Sequence, residues 1–346
     1  MNLQLPGAVE AATLRALMSL PEPVQRALGG RPIVRDGQTL EADVQLMLRL
    51  QRIARPRDEQ LPVEVVRRNL LRETALVAGD QRIGAVRDLQ VAGRPARHYL
   101  PSHPVTGPDQ PGPVLVFFHG GGFLEGNLES HDAPCRVLAE RSGVPVLATT
   151  YGLAPESQFP TAHEHAYENL RWVIDHAAEL DIDPARVAVG GDSAGGNLAG
   201  WCAIASARDG IPLAWQMLVY PVTDPLRDGA SVDLFAEGFY LTREFMDRAD
   251  ESYLGNPAAD RVDPRIRLID ADLPRSLAPA HIVTAGFDPL RDEGEAYARR
   301  LAAEGFQVEL ERRAGYVHGF FNIVGVGRSG RLAVDNLADR LRTALA

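Results

Sequence analysis

Hydrophobic residues recur at helical spacing along the first part of the chain. Apolar side chains three and four positions apart predict helices over Ala8–Leu20, Leu40–Ile53 and Val63–Ala78. Proline and glycine residues separate these segments and mark the turns between them. No strand pattern is evident before residue 80, so this part of the chain is predicted to be helical.

From Val86 onward, short apolar runs alternate with amphipathic segments. This alternation is typical of a mainly parallel sheet with helices on both faces, and the first two strands, Val86–Val91 and Ala96–Leu100, are predicted to pair. A loop over Pro101–Pro113 follows them. Buried strands are then predicted over Pro113–Phe118, Pro145–Thr150, Val187–Val189, Trp215–Tyr220 and His281–Ala285, with helices at about 134–142, 161–180, 194–208 and 289–304.

The stretch Asp224–Asp263 interrupts the alternation of strands and helices. It is rich in charge, and its aromatic residues include Phe235, Phe239, Tyr240 and Phe245. We expect a helical insertion here that meets the helical N-terminus over the strand ends. The predicted organisation is a catalytic α/β domain from residues 81–223 and 264–346, with a cap from residues 1–80 and 224–263.

Composition narrows the class of protein. The chain has 346 residues, 45% hydrophobic and 24% charged, which suits one large globular domain with a cap. Its net charge of −10 disfavours nucleic acid as a partner, because phosphate binding requires a clustered basic face. No targeting signal or bilayer-length apolar run is visible, so we expect a cytoplasmic protein without stable membrane association. A homodimer is left open.

The cysteine and histidine pattern gives no sign of a metal or a cofactor. Cys135 and Cys202 have no CxxC partner and are expected to be buried free thiols. His163 and His165 are two residues apart on a predicted helix, so they point to different faces and make a poor metal pair. No glycine-rich dinucleotide motif follows a strand. We therefore expect neither metal nor cofactor.

Ser193 lies in the pentapeptide Gly191-Asp-Ser-Ala-Gly195, between a predicted strand and a predicted helix. A serine on such a sharp turn needs small neighbours two positions away on each side, because strand and helix approach closely there. A glycine-rich turn with a capping serine would have a similar sequence. The position between a strand and a helix favours a catalytic serine over a capping one, and we predict that Ser193 is a nucleophile.

The sequence His119-Gly-Gly-Gly122 directly follows the apolar strand that ends at Phe118. Acyl transfer requires backbone N–H groups aimed at the oxygen of the tetrahedral intermediate, and glycines let the main chain turn its amides inward. A phosphate loop is disfavoured because no Gly-Lys-Ser/Thr sequence follows. The loop is predicted to form an oxyanion hole with the N–H of Ala194, and His119 to position the loop.

The base is predicted from chain order, because the acid and the histidine follow a serine of this kind along the chain. Only His281 and His318 follow Ser193. His281 lies inside an apolar strand and is expected to be structural. His318 lies in a loop between the predicted strand Gln307–Arg312 and the final helix, from which its imidazole could reach the nucleophile. We predict His318 as the base.

Three aspartates compete for the role of the acid. Asp288 ends the strand that begins at His281, whereas Asp292 lies on the following helix and is expected to cap or pair locally. Asp224 also ends a strand and is the serious rival, because the acid can shift by one strand. Asp288 is favoured, since its strand immediately precedes the one that leads to His318.

Together these segments resemble bacterial members of the hormone-sensitive-lipase family of esterases. The matching motifs run in family order from about residue 85 to residue 320. They are His119-Gly-Gly-Gly122, Tyr151-Gly-Leu-Ala-Pro-Glu156, Gly191-Asp-Ser-Ala-Gly-Gly196, Tyr220-Pro-Val-Thr-Asp224, Asp288-Pro-Leu-Arg-Asp292 and His318-Gly-Phe320.

The resemblance implies an α/β-hydrolase fold with a mainly parallel central sheet and a helical cap. It also implies hydrolysis of short- to medium-chain acyl esters through an acyl-enzyme, with oxyanion donors from Gly121, Gly122 and Ala194. Two positions depart from the family: Gly152 replaces the usual arginine and Ser157 a frequent histidine. Both lie in a segment that supports the site.

The partner implied by this chemistry is a small acyl ester. Short apolar acyl chains need a small dry pocket, and the cap aromatics Phe239 and Tyr240 are predicted to contact them. The same triad would also cleave an amide, a carbamate or a lactone, because all pass through similar tetrahedral intermediates. A ligand receptor on this fold is the non-enzyme alternative, and the presence of His318 disfavours it.

Overall fold

An eight-stranded sheet forms the centre of the structure, a computed structural model that describes residues 7–54, 61–107 and 110–346. A two-stranded hairpin, β1 and β2, precedes the sheet in the chain. The strands are β1 (Val34–Arg35), β2 (Gln38–Thr39), β3 (Ala85–Val91), β4 (Arg94–Leu100), β5 (Gly112–Phe118), β6 (Val146–Thr149), β7 (Ile182–Asp192), β8 (Trp215–Val219), β9 (Ala280–Phe287) and β10 (Val308–Val317).

The strand order across the sheet is β10-β9-β8-β7-β5-β6-β4-β3. Strand β4 pairs antiparallel with both β3 and β6, and all other neighbours are parallel. The prediction of a mainly parallel sheet is therefore confirmed. Because the carboxyl ends of parallel strands share one edge, the loops after β5, β7, β9 and β10 meet there.

Helices cover the two faces of the sheet. Further helices make up most of the chain before β3 and of the insertion after β8. In chain order they are α1 (Gly7–Met18), α2 (Glu22–Gly29), α3 (Ala42–Ala54), α4 (Val63–Ala78), α5 (Asp132–Ser142), α6 (Thr161–Asp175), α7 (Ala194–Arg208), α8 (Ala230–Leu234), α9 (Arg243–Tyr253), α10 (Pro257–Asp260), α11 (Arg291–Ala303) and α12 (Ser329–Leu345). Short 3-10 helices lie at Ala177–Leu180, Leu268–Asp270 and Phe320–Asn322.

Strand β5 shows why the central strands are apolar along their whole length. Val114, Val116 and Phe118 pack in the core under α6, α7 and α11. Leu115 and Phe117 point to the opposite face and pack in the core under α5 and α12. Because successive side chains of a strand point to opposite faces, a strand covered on both faces is apolar at every position.

Two small elements near the N-terminus differ from the prediction. Helix α2 begins beside Pro21 and carries Pro23 in its first turn, where the missing N–H costs nothing. The hairpin β1–β2 turns at Asp36 and Gly37, both with positive φ, as a two-residue hairpin loop requires. Strands of two residues are too short to show an alternating pattern.

The insertion after β8 contacts the N-terminal helices. Phe235 and Phe239 pack with Leu40 and with Val44 of α3, next to Phe287 at the end of β9. These contacts bring together chain segments about 190 residues apart on the same side of the sheet. Among the helices in the described part of the chain, none is long and apolar enough to cross a membrane.

Candidate active site

Ser193 lies on the tight turn between β7 and α7. Its φ of 56° is positive, a conformation that residues other than glycine rarely adopt and that is often found at functional sites. A Cβ on Gly195 would overlap the carbonyl oxygen of Phe118, so the position two residues after the serine must be glycine. The turn places Ser193 at the edge where the strand ends meet, in the wall of a cavity.

A continuous hydrogen-bonded line joins Ser193, His318 and Asp288. The Nε2 of His318 lies 3.0 Å from Ser193 Oγ, and its Nδ1 lies 2.7 Å from Asp288 Oδ2. Asp288 is fully buried after the end of β9, and His318 follows β10. The structure thus brings together the three residues predicted as nucleophile, base and acid.

The other candidates for acid and base have different partners. Asp224 accepts hydrogen bonds from Arg267, with its Oδ1 2.9 Å from Nε. Asp292 accepts from the backbone N–H of Ser231 and from Arg291, which agrees with the expected local role. His281 is buried in β9, 3.5 Å from a carboxylate oxygen of Glu311.

The glycine loop after β5 lies beside Ser193. Gly121 and Gly122 have φ values of 120° and 60°, and a Cβ on Gly121 would overlap the carbonyl oxygen of Glu125. Both residues line the same cavity as Ser193 and His318. The N–H of Gly120, by contrast, already donates to Asp192 Oδ1 at 2.8 Å. This difference favours Gly121 and Gly122 as oxyanion donors.

Asp192 and His131 form a second buried pair behind the nucleophile, which the sequence analysis missed. His131 Nε2 lies 3.1 Å from Asp192 Oδ1, the atom that also accepts from Gly120. Burial tends to raise the pKa of Asp192, but His131 and the Gly120 N–H outweigh it and hold the pKa below its usual value. The carboxylate therefore stays charged and ties the nucleophile turn to the glycine loop.

The contacts of His119 suit the loop-positioning role predicted for it. Its ring stacks on Tyr151 with the centroids 4.4 Å apart, and the Tyr151 hydroxyl donates to the His119 carbonyl oxygen at 2.6 Å. Burial lowers the pKa of His119 to about 4, so its imidazole is neutral at physiological pH. The Nδ1 atom of His119 lies 2.8 Å from the Gly120 carbonyl oxygen.

A small cavity of about 50 Å³ lies in front of Ser193. Its apolar wall comes from Leu70 of α4 and from Leu241 and Phe245 of the insertion, and Tyr240 also lines it. The prediction for Phe239 needs correction, because this side chain is not among the lining residues and packs against Phe235 and Phe287 instead. Its neighbour Tyr240 lines the cavity and also packs against the same apolar cluster, so the sequence alone could not tell the two residues apart.

The described residues 7–54, 61–107 and 110–346 contain no group of three or more His, Cys, Asp or Glu side chains that could hold a metal ion. Cys135 and Cys202 are both buried and unpaired. His163 hydrogen-bonds Asn197 and Tyr253, while His165 accepts a hydrogen bond from the Gly152 N–H. The two imidazole rings therefore have separate partners and do not face a common site.

Comparison with known proteins gives consistent matches along the chain. A family model described as the α/β-hydrolase fold matches residues 115–322. The chain is 38% identical to carboxylic ester hydrolase LipN of Mycobacterium tuberculosis, over 98% of this chain and 93% of the relative. It is 36% identical to an ethyl acetate hydrolase of Pseudomonas putida, over 82% of this chain and 93% of the relative.

Solved structures give the same picture. An esterase of Pyrobaculum calidifontis superimposes with a TM-score of 0.80 at 34% identity, covering 87% of this chain and 99% of the esterase. A thermostable carboxylesterase from a metagenomic library superimposes with a TM-score of 0.77 at 38% identity, covering 84% of this chain and all of the other.

Proposed function

Since the chain belongs to the α/β-hydrolases of the hormone-sensitive-lipase type, we propose that it is a serine carboxylesterase for short- to medium-chain acyl esters. The observation that carries this proposal is the line of hydrogen bonds from Asp288 through His318 to Ser193. Relatives named as hydrolases of carboxylic esters, including one named for ethyl acetate, support the substrate class.

In the acylation step, His318 Nε2 takes the proton of Ser193 Oγ while that oxygen attacks the ester carbonyl carbon. The carbonyl oxygen becomes an oxyanion, and the N–H groups of Gly121, Gly122 and Ala194 donate to it. Ala194 opens α7, so its N–H has no partner within the helix. The alcohol then leaves with the proton from His318, and the acyl group stays on Ser193.

In the deacylation step, His318 takes a proton from water, and the resulting hydroxide oxygen attacks the acyl carbon. The second tetrahedral intermediate then collapses, the bond between the acyl carbon and Ser193 Oγ breaks, and His318 Nε2 gives its proton to Ser193 Oγ as the carboxylic acid leaves. Asp288 accepts the Nδ1–H of His318 throughout, which fixes the tautomer and stabilises the imidazolium in both steps.

We propose that residues 1–80 and 224–263 form the cap over this site, with residues 81–223 and 264–346 as the catalytic domain. The packing of α3 against Phe235 and Phe239 supports this division. So does the cavity wall, which takes Leu70 from one segment and Tyr240, Leu241 and Phe245 from the other. A cytoplasmic location is proposed with it, supported by the two buried unpaired thiols.

The proposed function is tested with nitrophenyl esters of increasing acyl length on the wild type and on Ser193→Ala. We expect turnover of short esters by the wild type and a loss on the order of a million-fold in the variant, as for other triad nucleophiles. The variant should keep the wild-type melting temperature within a few degrees. No turnover of any ester by folded wild-type protein would favour the ligand-receptor alternative.

A further inference from the structure

Arg67 lies on the cap helix α4, and its guanidinium binds two loops of the catalytic domain. Its Nε donates to the carbonyl oxygen of Leu124 at 2.9 Å, and Nη2 donates to that of Ala154 at 2.7 Å. Nη1 and Nη2 also bind the two carboxylate oxygens of Glu156, at 2.8 and 2.7 Å. Four hydrogen bonds thus connect one cap side chain to two loops.

The two loops are those that support the oxyanion donors. Leu124 lies two residues after Gly122, and its N–H donates to the Gly121 carbonyl oxygen at 3.0 Å. The N–H of Ala154 donates to the carbonyl oxygen of Phe123 at 2.8 Å, so the second loop is bonded to the first. Arg67 therefore fixes the position of the residues that directly follow the oxyanion glycines in the chain.

The geometry of this contact requires an arginine. A guanidinium is planar and carries five N–H donors in a fixed fork, which matches a carboxylate through two bonds and still reaches two carbonyls. An ammonium group is compact and would reach fewer of these acceptors from the same position. Arg67 is partly buried, whereas the Glu156 side chain is 60% exposed, so the carbonyl bonds matter more than the ion pair.

Leu70 links this contact to the substrate cavity. It lies three residues after Arg67, on the same face of α4, is buried, and lines the cavity with Gly120, Gly121 and Gly122. Any displacement of α4 away from the two loops would withdraw Leu70 from the cavity wall. The space for the acyl chain would then increase.

We propose that Arg67 is a positioning residue that latches α4 to the loops behind the oxyanion donors and so sets the acyl-chain length that the cavity accepts. The proposal rests on the esterase function proposed above. Arg67 also lowers the pKa of Glu156 to about 2, so this carboxylate stays charged to a more acidic pH than a free glutamate would. The latch acts on the site through Leu70 and the glycine loop, without touching the reacting atoms.

The test compares kcat and KM for nitrophenyl butyrate and nitrophenyl octanoate in the wild type and in Arg67→Gln, Arg67→Lys and Glu156→Gln. Misplacement of a supporting group by about 1 Å can cost roughly 100-fold in rate. We expect Arg67→Gln to lower kcat/KM for butyrate on the order of tenfold and to shift the octanoate-to-butyrate ratio toward octanoate. Arg67→Lys and Glu156→Gln should fall between this variant and the wild type.

The matched control is Arg68→Gln, which removes the same charge from the neighbouring exposed position of α4 and should leave the ratio unchanged. Hydrogen exchange of the α4 amides gives a readout independent of activity, and we expect faster exchange in Arg67→Gln than in the wild type or in Arg68→Gln. A lower melting temperature with an unchanged chain-length ratio and unchanged exchange in α4 would reduce Arg67 to a general structural role. That outcome overturns the latch, whereas an inactive wild type would overturn the esterase function instead.

Discussion

Asp288 and Asp224 each follow the end of a strand, β9 and β8, but their side chains have different partners. Asp288 Oδ2 is 2.7 Å from His318 Nδ1, and Oδ1 accepts the Leu290 N–H at 2.9 Å. Asp224 is bound to Arg267 and to the Leu226 N–H through Oδ1. Only Asp288 is therefore placed to hold the imidazole in the tautomer that accepts the serine proton.

We predict that Asp288→Asn lowers kcat by roughly 10⁴-fold, because the amide leaves the imidazole in the wrong tautomer. Asp224→Asn should have a far smaller effect on kcat, since it weakens only the ion pair with Arg267. Steady-state kinetics with nitrophenyl butyrate compare the two variants directly. A larger loss in Asp224→Asn would assign the acid to β8.

The sequence could supply Ser193, Asp288 and His318 because each lies in a short motif and their order along the chain is informative. It could not supply the Asp192–His131 pair or the Arg67 contacts. His131 is 61 residues before Asp192, and Arg67 is 89 residues before Glu156, so only the fold brings these side chains together. Neither pair has a spacing that marks it in a single sequence.

At the scale of elements, the buried strands and the long helices were predictable. Helices α3, α4 and α7 and strands β5, β8 and β9 lie within a few residues of their predicted positions. Strand β7 begins at Ile182, five residues before the predicted start. The prediction missed its first residues because Asp183, Pro184 and Arg186 interrupt the apolar run. The elements that the sequence did not predict, α2 and the hairpin β1–β2, are too short to show a clear pattern of apolar residues.

Glu293 connects two elements and gives a pH-dependent contribution to stability. It lies in the first turn of α11, and its Oε1 accepts the N–H groups of Thr223 and Asp224 after β8, at 2.7 and 3.2 Å. Burial raises the pKa of Glu293 from 4.5 to about 8. The folded protein thus binds this proton more tightly than the unfolded chain does. This tighter binding contributes to the free energy of unfolding in full below about pH 4.5, and the contribution is lost as the pH rises through 8.

We predict that Glu293→Gln becomes more stable relative to the wild type as the pH rises from 5 to 8. Glutamine keeps the acceptor for the two N–H groups and never ionises, so the variant avoids the cost that grows in the wild type. Urea unfolding at both pH values measures the difference in the free energy of unfolding. A difference that is the same at pH 5 and pH 8 would show that Glu293 titrates normally in the folded protein.

At the scale of the whole molecule, the sheet edge supplies the chemistry and the helical segments supply the cavity. The three proposed triad residues follow β7, β9 and β10, while Leu70, Leu241 and Phe245 come from the N-terminal helices and the insertion. The cavity between them is small. An acyl group must therefore fit between the strand ends and the two proposed cap segments.

We predict that the enzyme prefers dissolved short-chain esters to emulsified long-chain triglyceride. The small cavity suits a short acyl chain, whereas a long chain would have to displace Leu70 or Phe245. Initial rates with tributyrin below and above its solubility limit, beside a trioctanoin emulsion, provide the measurement. A rise in rate only when an emulsion forms, with faster hydrolysis of the longer ester, would contradict this account of the cap.

The central claim is that Ser193 is the nucleophile, and covalent labelling tests it most directly. A nitrophenyl phosphonate ester reacts with an activated serine and releases nitrophenol, leaving the phosphonyl group on the oxygen that attacked. We predict one label per chain, on the peptide that contains Ser193, with loss of activity in step with labelling. Full inactivation with the label on another residue and Ser193 unmodified would contradict the account.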